Sequence, residues 1–114
     1  MIKDNISWQD FEKLDIRTGT ILFAEDFPAA KKPAYQLTID FGALGIKKTS
    51  SQITKLYKKE DLIGLQILAI VNFPKKQIAN FMSECLVLGI YGDNNDEVTL
   101  IKPERKIANG SKVG

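Results

Sequence analysis

The sequence of 114 residues has no histidine and a single cysteine. Without imidazole there is no histidine-type metal site and no serine–histidine or cysteine–histidine nucleophile, which removes most hydrolase chemistry. One cysteine cannot form an internal disulfide. Cys85 precedes the apolar run Leu86-Val87-Leu88, so a buried thiol is expected. No stretch approaches the roughly 18 uninterrupted apolar residues of a membrane span, and Met1-Ile2-Lys3-Asp4-Asn5-Ile6 lacks the apolar segment of a secretory signal. A cytoplasmic protein without membrane insertion is the expectation. Neither Gly42-Ala43-Leu44-Gly45 nor Gly89-Ile90-Tyr91-Gly92 is followed by the lysine and helix of a phosphate-binding loop. Asp93, Asp96 and Glu97 lack the glycine and distal glutamate of a calcium loop, so they read as a polar hairpin tip. No catalytic group, metal or cofactor is expected.

The chain holds 44% apolar residues, ten of its residues being aromatic, which suffices for one core and one domain over residues 1–114. Ser7, with Asp10 three residues on, predicts a short opening helix through Lys13. From Leu14 to Glu25 the pattern is that of a strand whose apolar phase slips near Gly19, where a bulge or bend is expected. Phe27 to Pro33 reads as a loop, and Tyr35, Leu37, Ile39 and Phe41 alternate with polar residues as a one-faced strand. Ile46 to Ser50 returns antiparallel. Ile53, Leu56 and Tyr57 form a helical stripe ending near Lys58-Lys59. Leu65 to Val71 is a central strand, Lys75-Lys76-Gln77 a basic loop, and Cys85 to Tyr91 and Val98 to Ile101 are further strands around a turn at Gly92 to Asp96. Three strands, a short helix and two strands, with the first strand bent, is the order of an OB barrel. The fold expected is therefore all-β: a five-stranded OB-fold barrel with a short N-terminal helix and a short helix between strands three and four.

A net charge of +2 is small, yet it is unevenly placed. Residues 27–83 carry nine basic and three acidic side chains, and eight of those basic residues form adjacent pairs: Lys31-Lys32, Lys47-Lys48, Lys58-Lys59 and Lys75-Lys76. Lysine pairs commonly mark only a solvated surface. An OB barrel binds ligands on strands two and three, between the loop after strand one and the loop after strand four. Lys31 and Lys32 fall in the first loop, Lys47 and Lys48 on strand three, and Lys75 and Lys76 in the second loop. One basic groove is thus expected, with Tyr35, Phe73 and Phe81 near it to line an apolar pocket or stack on bases. Tyr35 could equally be core, and Phe41 is expected there.

Several blocks carry a resemblance. Asp15-Ile16-Arg17-Thr18-Gly19-Thr20-Ile21, Lys32-Pro33-Ala34-Tyr35, Ile39-Asp40-Phe41-Gly42, Gln52-Ile53-Thr54, Val71-Asn72-Phe73-Pro74 and Ser83-Glu84-Cys85-Leu86-Val87-Leu88-Gly89 resemble the signature blocks of the CsaA family, from about Phe11 to Asn109-Gly110. That family is similar to the tRNA-binding domain found alone and at the end of some methionyl-tRNA synthetases. The resemblance implies an OB-fold homodimer, cytoplasmic, holding unfolded or precursor polypeptides in protein export, on a scaffold shared with tRNA binders. It adds Ser50, Gln52, Asn72 and Ser83 to the candidate binding residues. Trp8, Phe11, Ile107 and Val113 are candidates for the dimer interface, docking within one subunit being the alternative. The chain departs from the family pattern at Thr49-Ser50-Ser51, near Ala43-Leu44, at Lys75 after Pro74, and at Asn80. Glu84 stands where an acid would repel a phosphate backbone, which favours polypeptide over tRNA as ligand.

Overall fold

The computed structural model describes residues 1–114. Ser7 caps helix α1 (Trp8–Glu12): its side-chain oxygen accepts the Asp10 N–H at 3.1 Å, and the Asp10 carboxylate accepts the Ser7 N–H at 3.3 Å. Strand β1 (Ile16–Asp26) then crosses the whole molecule. Its second half pairs with β2 (Tyr35–Asp40) and its first half with β4 (Gln66–Ile70), both antiparallel. The slip in phase lies at Leu22 rather than Gly19, since Ile21 opposes Ile39 and Phe23 opposes Thr38. Gly19 answers a different need. A Cβ there would stand 2.7 Å from Ile39 Cγ2 and 2.7 Å from the Phe41 ring, so only glycine lets β1 pass over these two fully buried side chains.

β2 turns through Gly42–Leu44 into β3 (Ile46–Ser51), with Tyr35 opposite Ser51. The sheet order is β3-β2-β1-β4-β7, where β7 is Leu86–Val87, and the two end strands curl towards each other to make a nearly closed five-stranded barrel of OB type. The seam between them is not a ladder. The Glu84 N–H donates to the Lys48 carbonyl at 2.8 Å, the Glu84 carboxylate accepts the Lys48 N–H at 2.9 Å, and Ser83 Oγ accepts the Ser50 N–H at 3.2 Å. Thr49 Oγ1 donates to the Cys85 carbonyl at 2.6 Å. Ile21, Leu37, Ile39, Phe41, Leu62 and Ile67 fill the interior, fully buried.

Three sequence expectations shift. Helix α2 (Lys59–Leu62) begins where the predicted helix was to end: residues 54–56 form a turn, while Glu60 and Asp61 favour a helix start at Lys58, whose N–H the Asp61 carboxylate accepts at 3.4 Å. The basic segment at Lys75-Lys76-Gln77 is the start of a hairpin, β5 (Lys76–Ile78) with β6 (Phe81–Ser83), turned by Ala79 at φ +50°. The segment Cys85 to Tyr91 breaks after β7: β8 (Gly89–Tyr91) leaves the barrel sheet and pairs with β9 (Val98–Leu100) around the expected turn. Residues 108–113 run back along β1, where the Gly110 N–H donates to the Thr18 carbonyl at 2.7 Å and the Val113 N–H to the Ile16 carbonyl at 2.9 Å. No helix is long and apolar enough to cross a membrane.

Candidate functional site

The surface beside β3 gathers residues from three separate parts of the chain. Lys31 and Lys32 lie exposed in the β1–β2 loop, which Phe27 ties to the β5–β6 hairpin by packing on Phe81 with ring centroids 5.4 Å apart. Both lysines, with Ser50, Gln52, Ile78 and Ala79, line a cleft of about 390 Å³. Lys32, Ser50 and Gln52 also border a second cleft of about 770 Å³, whose far wall is Leu86 to Gly89 with Tyr91 and Val98. Further along β3, Lys47, Lys48 and Lys75 surround Glu84. The Lys75 ammonium sits 3.4 Å from its carboxylate, and the bond from the Lys48 N–H, followed by the charges of Lys75 and Lys47, holds that carboxyl below its ordinary pKa. The Lys48 position opposes Thr38 on β2, and Lys76 opposes Ser83 in the hairpin. Lys59 lies elsewhere, paired with Asp26 at 2.9 Å.

Other candidates take structural positions. Tyr35 belongs to the core and not to the groove lining: it is 9% exposed and its hydroxyl donates to the Tyr57 carbonyl at 2.7 Å, because its parity on β2 is that of Leu37 and Ile39. Asn72 is engaged at both ends of its side chain, donating to the Lys13 carbonyl at 2.7 Å and accepting the Asp15 N–H at 3.0 Å, so it fastens β1 to the end of β4. Ser83 is buried in the seam, 3.0 Å from Thr49 Oγ1. Phe81 is partly covered by Phe27, whereas Phe73 stays exposed. Of the proposed interface residues, Val113 docks on β1 within the chain and the Ile107 N–H donates to the Gln66 side-chain oxygen at 3.1 Å. Trp8 is 66% exposed and touches Phe11 at a centroid distance of 5.4 Å.

Sequence reasoning missed the apolar wall formed by Leu86, Tyr91 and Val98. The signal was present: Leu86 to Tyr91 is apolar at both parities, more than a strand with one buried face can cover. Asp93, Asp96 and Glu97 do not gather into a metal-holding group; Asp96 pairs with Lys55 at 3.6 Å, and Glu97 accepts the Asn94 amide at 3.0 Å.

Comparison with known proteins places this architecture. The family described as "Putative tRNA binding domain" matches residues 16–112. The crystal structure of the CsaA chaperone from Bacillus anthracis is 49% identical and superposes with a TM-score of 0.92, covering 97% of this chain and 100% of that one. The CsaA chaperone of Picrophilus torridus is 50% identical with a TM-score of 0.90, covering 96% and 100%. Methionine–tRNA ligase of Bacteroides fragilis is 37% identical over 113 residues, 98% of this chain, although the chain spans only 16% of the ligase's length. The match to the domain over residues 16–112 and near-half identity over the full length of two CsaA proteins agree, and the chain belongs to the CsaA family of tRNA-binding-domain proteins.

Proposed function

We propose that the chain is a cytoplasmic, homodimeric module that holds unfolded or precursor polypeptides during protein export, using the surface beside β3. The observation that carries this reading is Lys32 at the border shared by two clefts, one of them walled by Leu86, Tyr91 and Val98. Apolar walls attract side chains that unfolded chains expose, and the lysines at the rim draw acidic segments. The naming of the two full-length relatives as chaperones supports it. Binding without catalysis accords with a family described by what it binds.

Structure-selective tRNA binding is the second reading, favoured by the family model and the ligase relative. The same lysines would contact phosphates, and exposed Phe73 could stack on an unpaired base. Glu84 weighs against it as the main role, because its carboxylate neutralises Lys75 in the middle of the basic strip.

Reduced, carboxymethylated α-lactalbumin and unfractionated tRNA, each titrated into the protein at about 50 and 200 mM salt, separate the two readings. Phosphate contacts release counterions, so affinity for tRNA falls steeply over that range, whereas capture of the polypeptide through apolar contacts hardly changes. The quadruple variant Lys31→Glu, Lys32→Glu, Lys75→Glu, Lys76→Glu is expected to weaken tRNA about tenfold or more and the acidic polypeptide by about threefold, while remaining folded by circular dichroism. Unchanged affinity for both would remove the site from this surface.

A further inference from the structure

The barrel stops short of closing, and the cleft of about 770 Å³ occupies the gap. β3 is paired only with β2, and β7 only with β4, so each presents a second edge towards the seam. At Lys48 and Ser50 that edge of β3 is satisfied by Glu84 and Ser83. β3 ends at Ser51, and Gln52, just beyond it, lines the cleft. On β7 the Leu88 N–H donates to the Leu68 carbonyl at 2.9 Å, which turns residues of even number towards β4 and leaves the Val87 N–H and carbonyl facing the other way. No loop or side-chain group of the chain takes them up.

We infer that this cleft receives an extended polypeptide segment as an added strand, its main chain hydrogen-bonding the open edge of β7 at Val87. The inference rests on the polypeptide-holding reading and specifies how the client is gripped. Free strand edges complement a peptide main chain whatever its sequence, which suits clients that share no motif. The walls add a coarse preference. Leu86, Tyr91 and Val98 favour an apolar side chain at alternate positions, and Lys32, which has no acidic partner, favours an acid near one end. Asp96 on the same wall is already paired with Lys55 and does not oppose this.

Backbone methylation of the probe tests it on the unaltered protein. The probe is a blocked nine-residue peptide of alternating glutamate and valine, compared by calorimetry with two versions, one N-methylated at every valine and the other at every glutamate. N-methylation removes the donors of one strand edge and leaves side chains and charge in place. Strand addition predicts that at least one methylated version binds about tenfold more weakly or worse, and that the parent peptide slows hydrogen exchange at the Val87 amide. Equal binding of all three peptides, or unaltered exchange at Val87, overturns strand addition while leaving polypeptide holding intact. Failure of the parent peptide to bind also overturns it, and if carboxymethylated α-lactalbumin fails as well, the reading beneath falls with it.

Discussion

Cys85 lies beside the seam at 7% exposure, its carbonyl bonded by Thr49 Oγ1 and its thiol in the core cluster with Leu37, Ile39 and Phe41. Burial pushes the thiol from 9.0 up to about 11, against the opposing pull of the Thr49 hydroxyl and the Lys47 charge. A folded-state pKa above that of the unfolded chain means that the unfolded state loses its proton first. The contribution is therefore whole below pH 9 and disappears as pH rises through about 11, a loss of roughly 2–3 kcal/mol. Urea unfolding measured at pH 8, 10 and 11 is expected to show that decline in the wild type and a shallower one in Cys85→Ala. Burial of this thiol was legible in the sequence from the apolar run beside it. The roles of Asn72 and Ser83 were not, because an amide or hydroxyl in a binding block looks the same whether it faces a ligand or its own backbone.

At the scale of elements, Glu84 does for the β3 edge what a further strand would do. Its N–H and carboxylate engage both backbone groups of Lys48, and its second oxygen engages Lys75. Glu84→Gln keeps one acceptor but loses the charge, and is expected to cost about 1–2 kcal/mol and to speed hydrogen exchange at Lys48. Because the folded-state pKa of Glu84 is depressed, its contribution is present at neutral pH and lost as pH falls below the ordinary carboxylate range; acid unfolding of the variant should therefore be less steep than that of the wild type. Elements with strict alternation were read correctly: the stretch from Tyr35 follows β2 residue by residue. The β5–β6 hairpin escaped notice since three-residue arms offer too little alternation to distinguish from a loop, and α2 was misplaced because its start depends on Glu60 and Asp61 more than on the apolar stripe before them. The Leu22 bulge was displaced by three residues from Gly19, whose absence of a side chain answers to Phe41 instead.

Across the whole molecule, Lys31 and Lys32 line a cleft with Ser50 and Gln52 at one end of β3, while Lys47 and Lys75 lie about Glu84 further along it; that they serve one ligand groove is the proposal that OB topology and their spacing suggested. The large cleft was only half legible: the apolar run from Leu86 to Tyr91 signals its wall and Gly89 stands at the break between β7 and β8, but that β8 turns away to pair with β9 is decided by tertiary packing. The apolar ends divide between two roles. Val113 packs within the chain, while Trp8 remains exposed together with Ile6. If Trp8 and Phe11 form the proposed homodimer contact, sedimentation should show a dimer, Trp8→Ala should shift it to monomer without lowering β content, and the emission of this sole tryptophan should move to shorter wavelength as concentration rises. A monomer at every concentration would remove the dimer from the proposal.

The return of residues 108–113 along β1 has a consequence for how the molecule is made. Arg17 Nη1 donates to the Gly110 carbonyl across 93 positions of sequence, and β1 also needs β2 and β4 from the middle of the chain. β2 follows β1 across a short loop and can pair with it early, whereas β4 and residues 108–113 reach β1 only by closing much longer loops, so completion of the barrel, rather than its first hairpin, is expected to set the folding rate.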